Sequence, residues 1–359
     1  TINLDLANNP KVDISDPGKI IAASDGSITP IGGTLVLGGG LSLDGHKVKI
    51  NGNVEASKRV DLGAGGILEV DGNYTQLSDK LKIGDSKSGS GKVVISGDFR
   101  LQGKDANGSY CEGDGGLIME NPLDTLEIGG SLYMESPNAS ANTYYGTMTV
   151  KGDIDQKNVG EKSSFRGNKG FTLVLAGDKP QTVSLASKNS ILSNLDIKNK
   201  NDITVKGYLN AQIVSDGTIR LPSDGALEIT KLDLQNHRLE IKGDSDSVVK
   251  ASGSVTLGGL DGHFIVPGDY MQSSGTLRIG EGQMEVGGNL LLLDKDNNGK
   301  EITGDGYLAM VEAEGKLTVK GDLIVQSTRD TNLSKGTIVL SGDLIQKKGE
   351  DGSGTGNIK

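Results

Sequence analysis

One loop of the sequence carries oxygen-bearing side chains at a spacing suited to a calcium ion. Asp294, Asp296, Asn298 and Asp305 stand at the first, third, fifth and twelfth positions of this segment, with Gly299 at the sixth. A hard cation such as Ca²⁺ prefers several carboxylate and amide oxygens that one sharp turn brings together. The pattern therefore predicts a calcium site, although the twelfth position holds an aspartate in place of the usual bidentate glutamate.

A polar turn explains the same loop equally well. No helical pattern flanks it, and the related loop earlier in the chain has Gly103 at the first position, followed by Asp105, Asn107 and Asp114. Asp, Asn and Gly close tight turns without any metal, because Asp side chains bond nearby amides and Gly adopts positive φ. Both interpretations stay open, and no cofactor other than calcium is expected.

Adjacent aromatic residues suggest contact with a carbohydrate. Tyr144 and Tyr145 lie in a polar segment whose later counterpart has no aromatic residue, and Tyr110 is a further candidate. An aromatic face offers apolar area to a sugar ring at little cost in conformational entropy. The tyrosines are therefore predicted to contact saccharide, with packing over a strand end as the alternative.

Catalytic motifs are not found in the sequence. It has no Gly-x-Ser-x-Gly elbow, no His-Glu-x-x-His and no phosphate-binding loop. His46 and His237 recur at equivalent places, which indicates a structural role at a corner, and His263 stands in a turn with no nucleophile motif beside it. A non-catalytic chain is expected, with a β-helical polysaccharide lyase or glycosidase as the alternative.

Composition narrows the classes of partner. With 47 acidic and 37 basic residues the net charge is −10, which disfavours binding to nucleic acid and to anionic lipid. The single cysteine, Cys111, has no internal partner for a disulfide. No apolar run approaches the roughly 18 residues of a transmembrane helix, so membrane insertion is not expected.

A long internal duplication organises the chain. The segment from Leu41 to Gly52 returns as Leu232 to Gly243, an offset of 191 residues. We therefore predict a first copy at 1–191 and a second at 192–359 that continues it. Because the second copy stops before the partner of 168–191, a piece of a longer repeat array is expected, with an open strand edge.

A shorter period runs inside each copy. Glycine followed by Asn or Asp and then by alternating apolar residues recurs, mostly every 20 to 25 residues, from Gly52 to Gly342. Leu35, Leu37, Val48 and Ile50 alternate with polar residues, a period of two that indicates half-buried strands. The glycines are predicted to supply left-handed conformations at sharp corners.

Short strands, glycine corners and this period predict an all-β fold, a parallel β-solenoid of about 16 coils. Its handedness is expected to be right-handed, as in parallel crossovers generally. A β-sandwich array is the alternative fold. The absence of Trp and the presence of only 4 Phe favour the solenoid, whose narrow core Leu, Ile and Val fill.

The glycine-asparagine signature, together with the segments Leu173 to Ser184 and Asn194 to Ile197, resembles repeat modules of large secreted surface proteins of Gram-positive bacteria. Such proteins are generally adhesins, surface-layer components or stalks, and a cellulose-binding adhesin of the tāpirin type is one relative that the resemblance suggests. It implies an extracellular segment at the bacterial surface, joined to further domains, that binds a polysaccharide or another surface through side loops. A purely structural spacer is a further alternative.

Overall fold

The computed structural model describes residues 18–84, 86, 87, 89–139, 142–159, 165–223, 227–348 and 356–359. All regular elements in these ranges are β-strands, and apart from two antiparallel hairpins they stack in parallel as a β-solenoid of about 14 turns. The predicted fold class is thereby confirmed, while the first 17 residues of the predicted first copy lie outside the described residues. No helix long and apolar enough to cross a membrane occurs in the described part of the chain.

Two compact units make up the chain. Unit 1 comprises Thr1–Asn194 and Lys198–Asn201, and unit 2 comprises Leu195–Ile197 and Asp202–Lys359. The strands up to the end of unit 1 are β1 Lys19–Ile21, β2 Gly26–Ile28, β3 Thr34–Leu37, β4 Gly40–Ser42, β5 Lys47–Ile50, β6 Asn53–Ala56, β7 Val60–Asp61, β8 Ile67–Val70, β9 Tyr74–Gln76, β10 Ser78–Lys82, β11 Lys92–Ile95, β12 Phe99–Leu101, β13 Gly103–Lys104, β14 Tyr110–Cys111, β15 Asp114–Met119, β16 Thr125–Ile128, β17 Leu132–Met134, β18 Asn142–Thr143, β19 Thr147–Val150, β20 Ile154–Gln156, β21 Arg166–Leu175, β22 Gln181–Leu185 and β23 Ile191–Ile197, the last of which contributes to both units.

Unit 2 continues with strands of the same kind. They are β24 Ile203–Ile213, β25 Gly217–Arg220, β26 Leu227–Asp233, β27 Arg238–Lys242, β28 Val248–Leu257, β29 His263–Val266, β30 Asp269–Gln272, β31 Thr276–Ile279, β32 Gln283–Val286, β33 Leu290–Leu292, β34 Asp294–Lys295, β35 Glu301–Ile302, β36 Tyr307–Met310, β37 Lys316–Val319, β38 Leu323–Val325, β39 Asn332–Leu333, β40 Thr337–Leu340 and β41 Leu344–Gln346.

Each regular turn of unit 1 contributes one strand to each of three parallel faces. The first face pairs β1, β4, β7, β10, β15 and β18 in that order, and the second pairs β2, β5, β8, β11, β16, β19 and β21. The third face pairs β3, β6, β9, β12, β17, β20 and β22. Stacked turns satisfy the backbone hydrogen bonds of their neighbours, which isolated short strands cannot do.

Unit 2 repeats this plan with its own three faces. The face of most interest, its third, pairs β28, β30, β33, β38 and β41. A two-stranded antiparallel hairpin interrupts one turn in each unit, β13–β14 in unit 1 and β34–β35 in unit 2. These insertions lengthen their turns, which is one reason why the described chain has fewer turns than the sequence period predicts.

Inward side chains of the strands form the core. Leu35, Leu37, Val48 and Ile50 are all buried, as the period of two predicts, while Lys49 between the last two is exposed. All four phenylalanines of the chain are fully buried and belong to the core: Phe99, Phe165, Phe171 and Phe264. Burial of apolar area at about 25 cal/mol per Å² is the main force that holds successive turns together.

At one corner the turns of unit 1 are joined by side-chain hydrogen bonds. The Asn53 Oδ1 accepts from the Asn73 amide at 2.8 Å, and the Asn73 Oδ1 accepts from the Asp98 amide at 2.8 Å. The Asp98 Oδ1 accepts from the Ser131 amide at 2.9 Å, and the Ser131 Oγ accepts from the Asp153 amide at 3.0 Å. We call this series the corner ladder.

The corner ladder recurs in unit 2. There the Asp269 Oδ1 accepts from the Asn289 amide at 2.7 Å, the Asn289 Oδ1 from the Asp322 amide at 2.8 Å, and the Asp322 Oδ1 from the Asp343 amide at 2.8 Å. Every member follows the glycine of a sequence signature. The Asn or Asp of the signature is therefore a hydrogen-bonding element between turns.

Most signature glycines do not have the role predicted for them. Gly52 and Gly207 do have a positive φ, of 157° and 82°, but no positive φ occurs at the other eight, which are Gly72, Gly97, Gly130, Gly152, Gly268, Gly288, Gly321 and Gly342. Glycine is required by close approach instead. A Cβ at Gly97 would lie 2.2 Å from the Asn73 Oδ1 and 2.9 Å from the Gly72 oxygen, so a side chain would collide with the corner ladder and with the backbone of the preceding turn.

Replacement of a ladder glycine tests this packing. We expect Gly97→Ala to lower the free energy of unfolding by about 2 kcal/mol, because the backbone of the preceding turn must move. The control is Gly258→Ala, where a Cβ meets nothing within 4 Å and φ is not positive. Urea denaturation followed by circular dichroism compares the two, and equal unfolding midpoints would contradict the close-approach explanation.

Candidate functional site

The hairpin of unit 2 contains the loop for which calcium was predicted. The Asp296 Oδ1 accepts from the backbone amides of Asn298 at 2.8 Å and Lys300 at 3.0 Å, and Gly299 has a φ of 79°. The Asp294 carboxylate forms an ion pair with Lys250 at 3.1 Å. These two carboxylates are thus engaged by protein donors.

The hairpin of unit 1 closes in the same way. The Asp105 Oδ1 accepts from the amides of Asn107 and Ser109, each at 2.9 Å, and Gly108 has a φ of 80°. Asp105 and Asp296 are 191 residues apart, at equivalent places of the duplication. The first position of the loop, Asp294 in unit 2, is Gly103 in unit 1. The turn therefore forms from the residues that both loops share, whether or not the first position bears a carboxylate.

Asp305 lies outside the hairpin, one residue before Gly306, and its amide donates to the Ser273 oxygen at 3.1 Å. Within the described ranges, no three His, Cys, Asp or Glu side chains form a group that could hold a metal ion. The calcium site at Asp294, Asp296, Asn298 and Asp305 stays a prediction, and the turn accounts for the geometry that is observed.

Tyr144 and Tyr145 lie at the corner between β18 and β19 and are both half-buried. Both backbone amides donate to the Met119 carbonyl oxygen, that of Tyr144 at 2.9 Å and that of Tyr145 at 3.3 Å. The Lys169 Nζ lies 4.8 Å from the ring centroid of Tyr144 and 5.5 Å from that of Tyr145. Lys169 therefore contacts both rings through cation–π interactions. The saccharide contact predicted for the two tyrosines stays a prediction.

Tyr110 belongs to a different aromatic group, on the third face of unit 1. The Arg100 Cζ lies 4.4 Å from the Tyr110 ring centroid and 3.7 Å from that of Tyr133, while the Lys104 Nζ lies 5.1 Å from the Tyr110 centroid. The Tyr110 ring comes from the hairpin, and Arg100 and Tyr133 come from paired positions of β12 and β17. We call Arg100, Lys104, Tyr110 and Tyr133 the aromatic patch.

Ion pairs hold the aromatic patch in place. The Arg100 Nη2 donates to the Asp98 Oδ2 at 2.8 Å, and its Nη1 donates to the Gln102 Oε1 at 3.2 Å. Lys104 of the hairpin donates to Glu55, a residue of β6, and this hydrogen bond raises the pKa of the lysine. The hairpin is therefore fastened to the third face. Tyr110 is still 40% exposed.

In unit 2 the corresponding positions are not aromatic. Counterparts 191 residues later are Leu291 for Arg100, Glu301 for Tyr110 and Ile324 for Tyr133. Leu291 and Ile324 pack with Met271 and Leu293 in one apolar cluster. Ion pairs also fasten this hairpin, through the bridges Lys250–Asp294 and Lys347–Glu301. A hairpin of this kind thus needs neither an aromatic ring nor an arginine.

Sequence inspection found Tyr110 but missed Arg100 and Tyr133. The signal was present, because each stands three residues after a signature glycine, Gly97 and Gly130 respectively. That position points outward on the third face, and the register pairs Arg100 with Tyr133. Arg100 and Tyr133 are 33 positions apart in the sequence, and their proximity becomes evident only when the intervening hairpin is recognised as an insertion.

In comparisons with known proteins, no protein family, curated protein or solved structure matches the chain.

The turn explanation of the hairpins predicts matched behaviour in both units. We expect Asp296→Ala to speed hydrogen exchange at the Asn298 and Lys300 amides, because both lose their acceptor, and Asp105→Ala to do the same at Asn107 and Ser109. Both effects should be the same in EDTA and in millimolar calcium. Protection of the second hairpin that appears only with calcium would contradict the turn explanation and favour a metal site.

Proposed function

We propose that this chain is a non-catalytic segment of an extracellular bacterial surface protein, a stalk or adhesin that binds polysaccharide at the aromatic patch of unit 1. The observation that carries the proposal is the difference between the duplicated units. The corner ladder and the hairpin turn are kept in both, whereas Arg100, Tyr110 and Tyr133 are replaced by Leu291, Glu301 and Ile324. Residues dispensable for the architecture are free to serve a ligand.

The form of the patch supports a saccharide ligand. Tyr110 keeps 40% of its surface exposed, and cations lie within 5.1 Å of its ring centroid. A ring held in place beforehand loses little entropy when it stacks on a sugar. Asp98 and Gln102 are hydrogen-bonded to Arg100 of the patch, and Glu135 is hydrogen-bonded to Gln102. Carboxylate groups such as those of Asp98 and Glu135 bond sugar hydroxyls.

A solenoid suits this role, since its regular turns present side-chain columns at a spacing of about 4.8 Å along each face. On the third face of unit 1 the column of paired positions runs through Glu55, Thr75, Arg100, Tyr133 and Asp155. Thr75 is buried, so an extended polymer along this column would contact the partly exposed side chains of Glu55, Tyr133 and Asp155. The surface location follows from the resemblance to secreted repeat modules.

Retention on insoluble polysaccharide tests the proposal. We expect the chain to be retained saturably on at least one of cellulose, xylan, chitin and peptidoglycan, and Tyr110→Ala to weaken retention about three- to tenfold, the loss expected for one stacked ring. Tyr307→Ala is the matched control, because Tyr307 stacks on Arg329 at 3.8 Å in unit 2. The double variant Tyr144→Ala/Tyr145→Ala, measured beside it, shows separately whether the tyrosine pair also contacts the polysaccharide.

Three outcomes would contradict the proposal. Loss of retention with the tyrosine pair instead of Tyr110 would place the ligand at the β18–β19 corner. No retention on any polysaccharide would favour a structural spacer. Release of reducing ends or unsaturated products from soluble forms of these polymers would favour a lyase or glycosidase.

A further inference from the structure

The charges of the aromatic patch discriminate between classes of polysaccharide. Resting on the function proposed above, we propose that the patch selects neutral glycans and rejects polymers of uronic acids. Both cations of the patch, Arg100 and Lys104, already pair with carboxylates of the protein.

Little of Arg100 is accessible to a carboxylate. Its Nη2 is bonded to Asp98 and its Nη1 to Gln102, while rings of Tyr110 and Tyr133 lie on the guanidinium at 4.4 and 3.7 Å. Only 16% of the arginine side chain is exposed. A uronate that approached this guanidinium would compete with Asp98 for it and would have to displace the rings that cover it.

Lys104 is also committed. Its amine forms an ion pair with Glu55, and 26% of the lysine side chain is exposed. Burial of the uronate group against this amine would displace Glu55 and unfasten the hairpin that carries Tyr110. The two cations therefore act as internal supports for the tyrosine rings and not as anion receptors.

The remaining charges near the patch are mostly negative. Glu135 accepts from the Gln102 amide at 2.9 Å, and Glu112 is exposed two residues after Tyr110. Asp155 follows Tyr133 in the column of paired positions, although Lys157 lies 3.0 Å from it. A carboxylated polymer would be repelled by these carboxylates wherever it came within the Debye length of them, which is about 10 Å at 0.1 M salt.

Neutral sugar hydroxyls fit the groups that remain. Carboxylate oxygens have several lone pairs each, so Asp98 and Glu135 can accept from sugar hydroxyls without giving up their protein donors. Stacking on Tyr110 supplies apolar contact for the sugar ring. The patch thus offers an aromatic face bordered by acceptors, which is complementary to a hydroxyl-rich neutral chain.

A comparison of neutral and acidic glycans tests the inference. The probes are amorphous cellulose, xylan and chitin on the neutral side, and C6-oxidised cellulose, polygalacturonate and alginate on the acidic side. We expect binding to a neutral probe to exceed binding to every acidic probe by about tenfold or more at 50 mM salt. Native and C6-oxidised cellulose differ mainly in the carboxylate and form the sharpest pair.

Asp98→Asn frees Arg100 while keeping the corner ladder. An asparagine oxygen can accept from the Ser131 amide, as Asn73 does from Asp98 one turn earlier. The variant loses the carboxylate that pairs with the guanidinium, so we expect the neutral-to-acidic ratio to fall at least about threefold. Unchanged urea midpoints would show that the fold is retained, and Asp322→Asn in unit 2 is the matched control.

The outcomes separate this inference from the function on which it rests. Retention on no probe overturns the binding function itself. Equal or stronger retention on acidic probes, weakened by Tyr110→Ala, leaves the site in place and overturns the neutral preference. A neutral preference that Asp98→Asn leaves unaltered in a folded protein would also overturn the inference, since the paired state of Arg100 would then be irrelevant.

Discussion

Successive turns of this chain meet at a corner where a backbone amide donates to the side-chain oxygen of an Asn, Asp or Ser in the preceding turn. The Asn73 Oδ1 and the Asp98 amide, 2.8 Å apart, are one such pair. This hydrogen bond brings two backbones so close that a Cβ on the neighbouring glycine would collide. It sets where each third-face strand begins, and hence which residues of that strand point inward.

The outward position of the third face is where the two units differ. The residue three places after the signature glycine is Arg100 or Tyr133 in unit 1 and Leu291 or Ile324 in unit 2. In both units a hairpin with the same aspartate turn is fastened to this face by lysine–carboxylate pairs. A common architecture thus supports an exposed aromatic surface in one unit and a buried apolar cluster in the other.

Much of the fold could be predicted from local pattern. Alternation at Leu35, Leu37, Val48 and Ile50 predicts inward strands because side chains alternate across a strand with a period of two, and burial follows. The role predicted for the signature glycines was wrong at most positions, because a repeated Gly-Asx pair looks the same whether glycine supplies positive φ, as at Gly207, or simply lacks a side chain, as at Gly97. Only the position of the preceding turn distinguishes the two.

The site was harder to predict than the fold. An Asp-x-Asn-Gly sequence serves calcium loops and hairpin turns alike. The Asp296 oxygen accepts from two backbone amides, which accounts for the turn, while the calcium site stays a prediction. The aromatic patch joins residues separated by up to 33 positions in the sequence. Their proximity requires the pairing of β12 with β17 across an inserted hairpin, which no short window of sequence contains.

Hydrogen–deuterium exchange with and without the retained polysaccharide tests whether unit 1 binds a glycan through residues that are not kept in unit 2. We expect slower exchange in segments 99–113 and 132–135 when the glycan is bound, with no change in the corresponding segments 290–304 and 323–326. Protection confined to the region of Tyr144 and Tyr145, or equal protection in both units, would contradict it.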